Sequence, residues 1–320
     1  MILGVDIGGT KTAVALADGK GSVLSSARFP TDVQSPEVTL SLAVENLNAL
    51  IKEAAIAPSS FQALGISAMG PMSSAAQVIH ETKKLPGWAD FPVGRFFKDA
   101  FGCPVFMEND ANAAGLAEYF FGAHKGKDLI YLTMSTGIGA GIICNGLLLS
   151  GANDLAGEVG HMCLVPDGRA CFCGKQGCWQ AYCGGRQMEL HIRDMLRKKT
   201  AETAILDDVG GDVEQVTIQG ICKAVRDGDA LACEQWEEFI DRCAQGVGIL
   251  MQCFNPSAIV MGTIAVYDGD LFIPQMKERL TQYAWPRTTE GCVIEPTVLR
   301  NIGELSGVAV ALNGLDCLVK

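Results

Sequence analysis

The sequence lacks a long hydrophobic stretch: none of its apolar runs reaches the roughly 18 residues that a membrane-spanning helix requires. The N-terminal segment "MILGVDIGG" carries an acid, Asp6, too early for the apolar core of a secretory signal. Thirteen cysteines are present, but they are scattered and odd in number, which does not fit a disulfide framework. We therefore expect a protein of the reducing cytoplasm, without a membrane partner.

Positive charge is also scarce. Lys and Arg number 25 against 36 for Asp and Glu, so the formal net charge is -11. Such a surface repels nucleic-acid phosphates, and we expect no nucleic-acid partner. With 48% hydrophobic residues the chain is too apolar to be disordered. Its 320 residues exceed the usual domain of about 100 to 200 residues, which favours two domains.

Two segments share one plan, an apolar strand, a glycine turn and a second apolar strand. They are "ILGVDIGGTKTAVALAD" and, further along, "LIYLTMSTGIGAGIICNG". The first is not a P-loop, because Lys11 comes one position late and a strand follows instead of a helix. The second has the spacing Gly-x-Gly-x-Gly from Gly137 and also leads into a strand, which argues against a Rossmann dinucleotide site.

Such turns favour phosphate binding, because glycine lets backbone N–H groups approach an anion without a Cβ in the way. Hydroxyl groups add donors. The candidate residues are Gly8, Gly9, Thr10, Thr12, Ser135, Thr136, Gly137 and Gly139. The alternative is that the turns only connect strands. Lys11 has two open roles, neutralising phosphate or extending into solvent.

A carboxylate follows the short strand "PVFM" and precedes a helix rich in small residues. Asp110 would lie near the positive end of that helix, which favours its ionised form and a role as proton acceptor. The alternative is that Asp110 only caps the helix.

The stretch "GHMCLVPDGRACFCGKQGCWQ" contains a Cys3His set, namely His161, Cys171, Cys173 and Cys178. Four N/S ligands with no open position are typical of a structural zinc site. Cys163 and Cys183 are alternative ligands, and a group of reduced, partly buried thiols is the alternative to any metal.

In this order, "DIGGTKT", "ENDANAAGLAE", "STGIGAG", "AGEVGHM" and "CFCGKQGC" resemble the ROK family of sugar kinases, within the actin-like ATPase and hexokinase superfamily. The resemblance runs from Gly4 to "GELSGVAVAL" at 303–312. It implies an α/β, two-domain actin-like ATPase fold of the ribonuclease H-like, hexokinase type, with an interdomain cleft. We expect one domain at 1–111 plus about 303–320, and a second at 112–302 that carries the zinc loop 161–178.

The resemblance also implies roles. Asp110 is the base that takes a proton from a sugar hydroxyl, and Asn109 holds the sugar, as do Glu158 and His161. Both glycine turns hold the phosphates of ATP, and Asp6 helps to place Mg²⁺. The His-x9-Cys-x-Cys-x4-Cys spacing matches the family's zinc loop, so zinc would brace the sugar pocket.

Three positions depart from the family pattern. Gln180 stands where the family has a sugar-binding Glu, so we expect weaker or altered sugar selection, and Gln180→Glu should strengthen sugar binding if the pocket is the usual one. Gly262 is followed by Thr263 and Ile264 instead of a glycine run against the adenosine. Lys84 replaces a common Asn.

The leading hypothesis is an ATP-dependent kinase of a hexose or N-acetylhexosamine, with relatives suggesting a homodimer or homotetramer. The rival is a catalytically weak sugar-binding sensor. A DNA-binding repressor is disfavoured, since the chain begins directly in the phosphate strand. Apolar periodicity also predicts long helices within 38–55 and 238–256.

Overall fold

The structure is a computed structural model that describes residues 1–57, 60–198 and 203–319. Lys320, the end of the predicted segment 303–320, lies outside the described residues. The strands are β1 Ile2–Ile7, β2 Lys11–Ala17, β3 Val23–Pro30, β4 Ala63–Ala68, β5 Met72–Ser73, β6 Val78–Ile79, β7 Val105–Asn109, β8 Leu129–Met134, β9 Ile138–Cys144, β10 Leu147–Leu148, β11 Ala258–Met261 and β12 Val293–Pro296.

Helices connect and cover these strands. They are α1 Pro36–Glu53, α2 Val93–Phe101, α3 Asp110–Phe121, α4 Gln180–Cys183, α5 Gly185–Lys198, α6 Ile218–Arg226, α7 Ala230–Phe254, α8 Ile264–Asp268, α9 Ile273–Arg279, α10 Pro286–Glu290 and α11 Ile302–Val319. In the described part of the chain, no helix combines the length and apolar character needed to cross a membrane.

The chain forms two compact units. The first contains Met1–Lys127, Gly141–Gly157 and Val298–Lys320, and the second contains Asp128–Ala140 and Glu158–Thr297. Helix α3 belongs to the first unit because it packs on α11. The domain boundary that we expected at residue 111 stays a prediction.

The first unit is built on a five-stranded sheet in the order β3-β2-β1-β4-β7. Strands β1 and β2 are antiparallel, with Ile7 opposite Thr12, so the first predicted hairpin is confirmed. Strand β1 runs parallel to β4, and β4 runs parallel to β7. The carboxyl ends of these three parallel strands therefore meet at one edge of the sheet.

The second sheet has the order β10-β9-β8-β11-β12. Strand β11 runs parallel to both β8 and β12. Strands β8 and β9 are neighbours joined by the turn at 135–137, as the second strand-turn-strand pattern predicts. The predicted long helices are confirmed as α1 and α7, both of which bury apolar residues along their length.

Helix α11 lies against the backbone of β1 and β4. A Cβ at Gly65 would fall 2.1 Å from the Gly307 carbonyl oxygen and 2.4 Å from the Ala311 nitrogen. A Cβ at Gly307 would fall 2.4 Å from the Val5 nitrogen. Only glycine permits this approach, so Gly65 and Gly307 set the distance between helix and sheet.

We expect Gly65→Ala to lower the free energy of unfolding by about 1 to 3 kcal/mol, because the new methyl group forces backbone atoms apart. Denaturant unfolding followed by circular dichroism measures the change. Gly19→Ala is the matched control, since its Cβ meets only the end of the Gln62 side chain at 3.3 Å. Equal stability of the two variants would contradict backbone contact between α11 and the sheet.

Candidate functional site

Asp110 is the first residue of α3, directly after β7. The helix cap is Asn109, whose Oδ1 accepts a hydrogen bond from the Ala111 N–H at 2.9 Å. Oδ1 of Asp110 accepts from the same N–H, also at 2.9 Å. Asn109 therefore serves as the cap, and the second Asp110 oxygen, Oδ2, takes no part in this bond.

The Asp110 side chain reaches solvent, but protein surrounds it on most sides. This burial raises the pKa of Asp110 above its usual range, and the hydrogen bond from Ala111 and the positive charge of Lys84 lower it again. We had expected the helix start to dominate, whereas burial has the larger effect. Lys84, which replaces the family's Asn, therefore acts electrostatically on the candidate base.

Glu108 accepts hydrogen bonds from residues at the junction between β7 and α3. Its Oε2 accepts from the Asn109 N–H at 3.3 Å and from the Asn112 amide at 3.1 Å, and its Oε1 accepts from the Ser150 hydroxyl at 3.3 Å. Burial raises the pKa of Glu108. Sequence reasoning missed this residue, although its place directly before Asn109 and Asp110 is visible in the sequence.

Asp6 is the last residue but one of β1, at the same sheet edge. The Ser67 hydroxyl donates to its Oδ1 at 2.6 Å. Burial raises the pKa of Asp6 to about 7, helped by the negative charges of Asp110 and Glu304. Arg28 pairs with Glu304 through contacts of 2.5 and 2.7 Å. The excess of carboxylates over positive charge fits a bound cation such as Mg²⁺.

The first glycine turn is closed by a hydrogen bond of 3.0 Å from the Gly8 N–H to the Lys11 carbonyl. Thr10 and Lys11 are exposed beside it. Thr12 is fully buried, and its hydroxyl lies 2.8 Å from that of Thr31. The phosphate role of this turn stays a prediction, and the Thr12 hydroxyl is already paired with that of Thr31, directly after β3. Gly9 lies against Met69.

The second glycine turn is fixed by the start of α5. Gly185 N–H donates to the Ser135 carbonyl at 2.7 Å, and Arg186 N–H donates to the Thr136 carbonyl at 3.3 Å. The side chains of Ser135 and Thr136 are exposed, while Gly137 and Gly139 are half-buried. The carbonyl groups of Ser135 and Thr136 thus hold the turn in place by accepting hydrogen bonds, while the hydroxyl groups of both residues face solvent.

Thr263 has a backbone conformation that glycine favours, with φ 53°. Its hydroxyl accepts from the Met134 N–H at 2.9 Å and donates to the Met134 carbonyl. The two bonds offset the strain of the positive φ and tie this loop to the residue before Ser135. Gly262 is buried, and a Cβ there would lie 2.0 Å from the Tyr131 hydroxyl oxygen.

The four predicted zinc ligands converge. The ligand atoms of His161, Cys171, Cys173 and Cys178 all lie within 4.8 Å of one another. The Cys173 and Cys178 sulfurs are 3.6 Å apart, and the Cys171 sulfur lies 3.8 Å from His161 Nδ1. Tetrahedral zinc with bonds of about 2.3 Å requires sulfurs about 3.8 Å apart, so the donor set fits zinc.

The alternative cysteines lie outside this group. Cys183 is buried and donates to the Phe239 carbonyl, and Cys163 is exposed. Burial among the neighbouring thiols raises the pKa of Cys178 to about 12. This side chain therefore stays a neutral thiol at neutral pH unless a metal ion favours the thiolate.

His161 links the cluster to Glu158. While Nδ1 of His161 faces the sulfurs, its Nε2 lies 3.8 Å from the Glu158 carboxylate. Metal-binding histidines commonly have a carboxylate at the second ring nitrogen. Both side chains are exposed.

Gln180 is buried, with 8% of its surface exposed. Its Nε2 lies 3.2 Å from the Cys171 sulfur, and its Oε1 lies 3.5 Å from the Ile138 nitrogen. Sequence reasoning placed Gln180 at the sugar and missed both contacts. A sugar contact by Gln180 stays a prediction.

Within each unit the structure brings the predicted residues into sets. The first unit holds Asp6, the Gly8 to Thr12 turn, Asn109 and Asp110. The second unit holds the Ser135 to Gly139 turn, Glu158, the Cys3His cluster, Gln180 and Gly262. The proposed catalytic base and the proposed metal site therefore belong to different units.

Solved structures share this architecture across almost the whole chain. The ROK hexokinase from Thermus thermophilus matches with a TM-score of 0.85 at 30% identity, covering 99% of both chains. A ROK family glucokinase from Streptomyces griseus in complex with glucose and AMPPNP matches with a TM-score of 0.72 at 30% identity, covering 97% of both chains. The protein has the two-domain actin-like ATPase fold, and the fold prediction is confirmed.

Sequence similarity agrees. The glucokinase of Streptomyces coelicolor is 32% identical over 280 residues, which cover 87% of this chain and 86% of that protein. The profile of the ROK family matches residues 2–313. This chain belongs to the ROK family, and the resemblance drawn from its motifs is confirmed.

We expect protein purified without added zinc to contain about one equivalent of zinc, and Cys173→Ser to lose most of it, because three ligands hold the ion less tightly than four. Inductively coupled plasma mass spectrometry gives the ratio. Cys163→Ser is the matched control, as an exposed cysteine of the same loop outside the donor set. Less than about half an equivalent in the unmodified protein, or equal loss in Cys163→Ser, would remove the zinc assignment.

Proposed function

We propose that this chain is an ATP-dependent sugar kinase that phosphorylates a hexose or N-acetylhexosamine. The observation that carries the proposal is the carboxylate of Asp110, accessible at a helix start and beside Asn109, at the sheet edge where β1 ends just after Asp6. Membership of the ROK family, with a glucokinase relative and a structure holding glucose and AMPPNP, supports the same conclusion.

In the proposed reaction, Asp110 accepts the proton of a sugar hydroxyl. The freed oxygen forms a bond to the γ-phosphorus of ATP while the bond from that phosphorus to the bridging oxygen of ADP breaks, and ADP leaves. The raised pKa of Asp110 makes it a stronger proton acceptor than an ordinary carboxylate once it is ionised. Glu108 acts behind it by fixing the Asn109 backbone.

The nucleotide side uses the two glycine turns, whose backbone N–H groups would bind the phosphates, while Lys11 supplies positive charge. Asp6 would hold Mg²⁺ bound with ATP, and Mg²⁺ neutralises the phosphate charge. The two hydrogen bonds between the Thr263 hydroxyl and the Met134 backbone fix the end of β8, which leads into the second turn. A rigid turn of this kind lowers the entropy lost when phosphate binds.

The sugar side would use Asn109, Glu158 and His161. Asn109 is oriented by its cap bond, and Glu158 is oriented by the imidazole. Zinc would hold that imidazole in place as a structural ion, without an open position for chemistry. The expected homodimer or homotetramer stays a prediction.

A second candidate is a sugar-binding sensor with little catalysis. The observation that favours it is the Gln180 amide, which is already engaged by Cys171 and Ile138 and lacks the family's carboxylate. A sensor of this kind would bind sugar while turning over little ATP.

The sugar panel decides between the two. We expect at least one of glucose, mannose, fructose, allose and their N-acetylamino forms to accelerate ATP turnover in a coupled assay. Binding of a sugar by calorimetry, without accelerated turnover for any member, would favour the sensor and overturn the kinase.

Asp110→Asn tests the base with the accepted sugar. We expect its kcat to fall about a hundredfold or more, because general-base catalysis typically contributes that much. Asp99→Asn, a change of an exposed Asp in the same unit, should leave kcat intact. A variant that keeps more than about a tenth of the activity while folded would remove Asp110 from this role.

Lys84→Met should move the acidic limb of kcat/KM to higher pH. The Lys84 charge lowers the pKa of Asp110, so its removal raises that pKa, and the base then becomes protonated at a higher pH than in the unmodified enzyme. Lys83→Met changes the exposed neighbouring residue and is the control. It should leave the pH of the acidic limb of kcat/KM unchanged. A limb that is unmoved by Lys84→Met would contradict the electrostatic link.

A further inference from the structure

The Gln180 side chain lies between the Cys3His cluster and the second glycine turn. It belongs to α4, two residues after the ligand Cys178, and the preceding Trp179 is fully buried. The Trp179 ring packs against Gly246 of α7, where a Cβ would lie 2.3 Å from the ring. The packing of Trp179 therefore fixes the start of α4 and the direction of the Gln180 side chain.

Two glycines make room for the Gln180 amide. A Cβ at Gly137 would lie 2.8 Å from Oε1 of Gln180, and a Cβ at Gly160 would lie 3.0 Å from the same atom. Gly137 is part of the second glycine turn, and Gly160 directly precedes the ligand His161. The amide therefore fills a slot bordered by the turn on one side and by the metal loop on the other.

The orientation of the amide follows from its partners. The Ile138 N–H can only donate, so the amide oxygen must face it, and the NH₂ group then faces the Cys171 sulfur. A metal-bound thiolate accepts hydrogen bonds and donates none. An amide is therefore the group that satisfies both neighbours at once.

Other side chains of this size satisfy fewer partners. Glutamate offers two oxygen acceptors, so one would face Ile138 and the other would face the sulfur with no hydrogen to share. Methionine keeps the length but provides neither an N–H donor nor a strong acceptor. In this chain the Gln180 amide thus matches both neighbours, the Cys171 sulfur as a donor and the Ile138 N–H as an acceptor.

We propose that Gln180 is a positioning residue that joins the zinc ligand Cys171 to the backbone of the second glycine turn at Ile138. Through this bridge the metal site and the turn hold each other in place. The inference rests on the proposed zinc site, and its relevance to catalysis rests on the proposed role of the turn in ATP binding. It also changes the expectation for Gln180→Glu, which should weaken the metal site instead of improving the sugar site.

The first experiment measures the metal. We expect Gln180→Met to bind zinc about 10- to 100-fold more weakly by chelator competition, the usual effect of losing a partner of a metal ligand. In cobalt-substituted protein the thiolate-to-metal charge-transfer band should move to lower energy, because the sulfur loses a hydrogen bond that stabilises its lone pairs. Gln180→Glu should weaken zinc binding at least as much.

Gln187→Met is the matched control. Gln187 is equally buried, at 8% exposure, and its amide contacts the same loop, but it donates to the Ala170 carbonyl at 3.1 Å and not to a sulfur. We expect this variant to lose stability without moving the cobalt band. The proposal is wrong if Gln180→Met matches the unmodified protein in zinc affinity and spectrum, or if Gln187→Met shifts the band equally.

The second experiment follows the turn by hydrogen exchange of the segment Ser135–Ala140. Removing the metal should speed its exchange in the unmodified protein and in Gln187→Met, whereas in Gln180→Met exchange should be fast with or without metal. The buried strand Ala258–Met261 of the same unit should stay protected, which excludes general unfolding of that unit. Unchanged exchange of the turn on metal removal would overturn the bridge. Both experiments omit sugar and ATP, so failure of the kinase proposal would appear only in the sugar panel.

Discussion

Parallel pairing of β1, β4 and β7 is the constraint on which the candidate active site depends. The register sets Asp6 opposite Ser67 and Ser67 opposite Glu108, so residues about a hundred positions apart end at one sheet edge. Asp110 follows two residues beyond this row, where α3 begins. Close packing of α11 against the backbone at Gly65 keeps the strands in place, and the carboxylates become neighbours for that reason.

Local patterns in the sequence predicted local parts of the structure well. Alternation of apolar residues around each glycine turn predicted the two strand pairs, and periodicity predicted α1 and α7. The strand and helix around Asp110 were also predicted, because a short apolar strand, three polar residues and a small-residue helix stand in direct succession. The cysteine cluster was predictable too, since its four ligands lie within one short loop and turn tightly at glycines.

Several features that sequence reasoning missed depend on contacts between residues far apart in the sequence. Nothing near Lys84 in the sequence indicates that its charge acts on Asp110. The Gln180 amide contacts Ile138, 42 residues away in the sequence, as well as Cys171, 9 residues away. In place of the family's glycine run after Gly262, the Thr263 hydroxyl forms two hydrogen bonds with the Met134 backbone that no glycine could form.

Thr263 also has a consequence for the unfolded chain. A glycine run samples many backbone conformations when unfolded, and folding must remove all of that freedom. Threonine has fewer backbone conformations than glycine, so folding removes less conformational entropy at position 263. The folded state, however, must hold Thr263 at an uncommon positive φ. At position 263 the chain thus has less conformational freedom in the unfolded state and a conformational cost in the folded state, and the two hydrogen bonds to Met134 offset part of that cost.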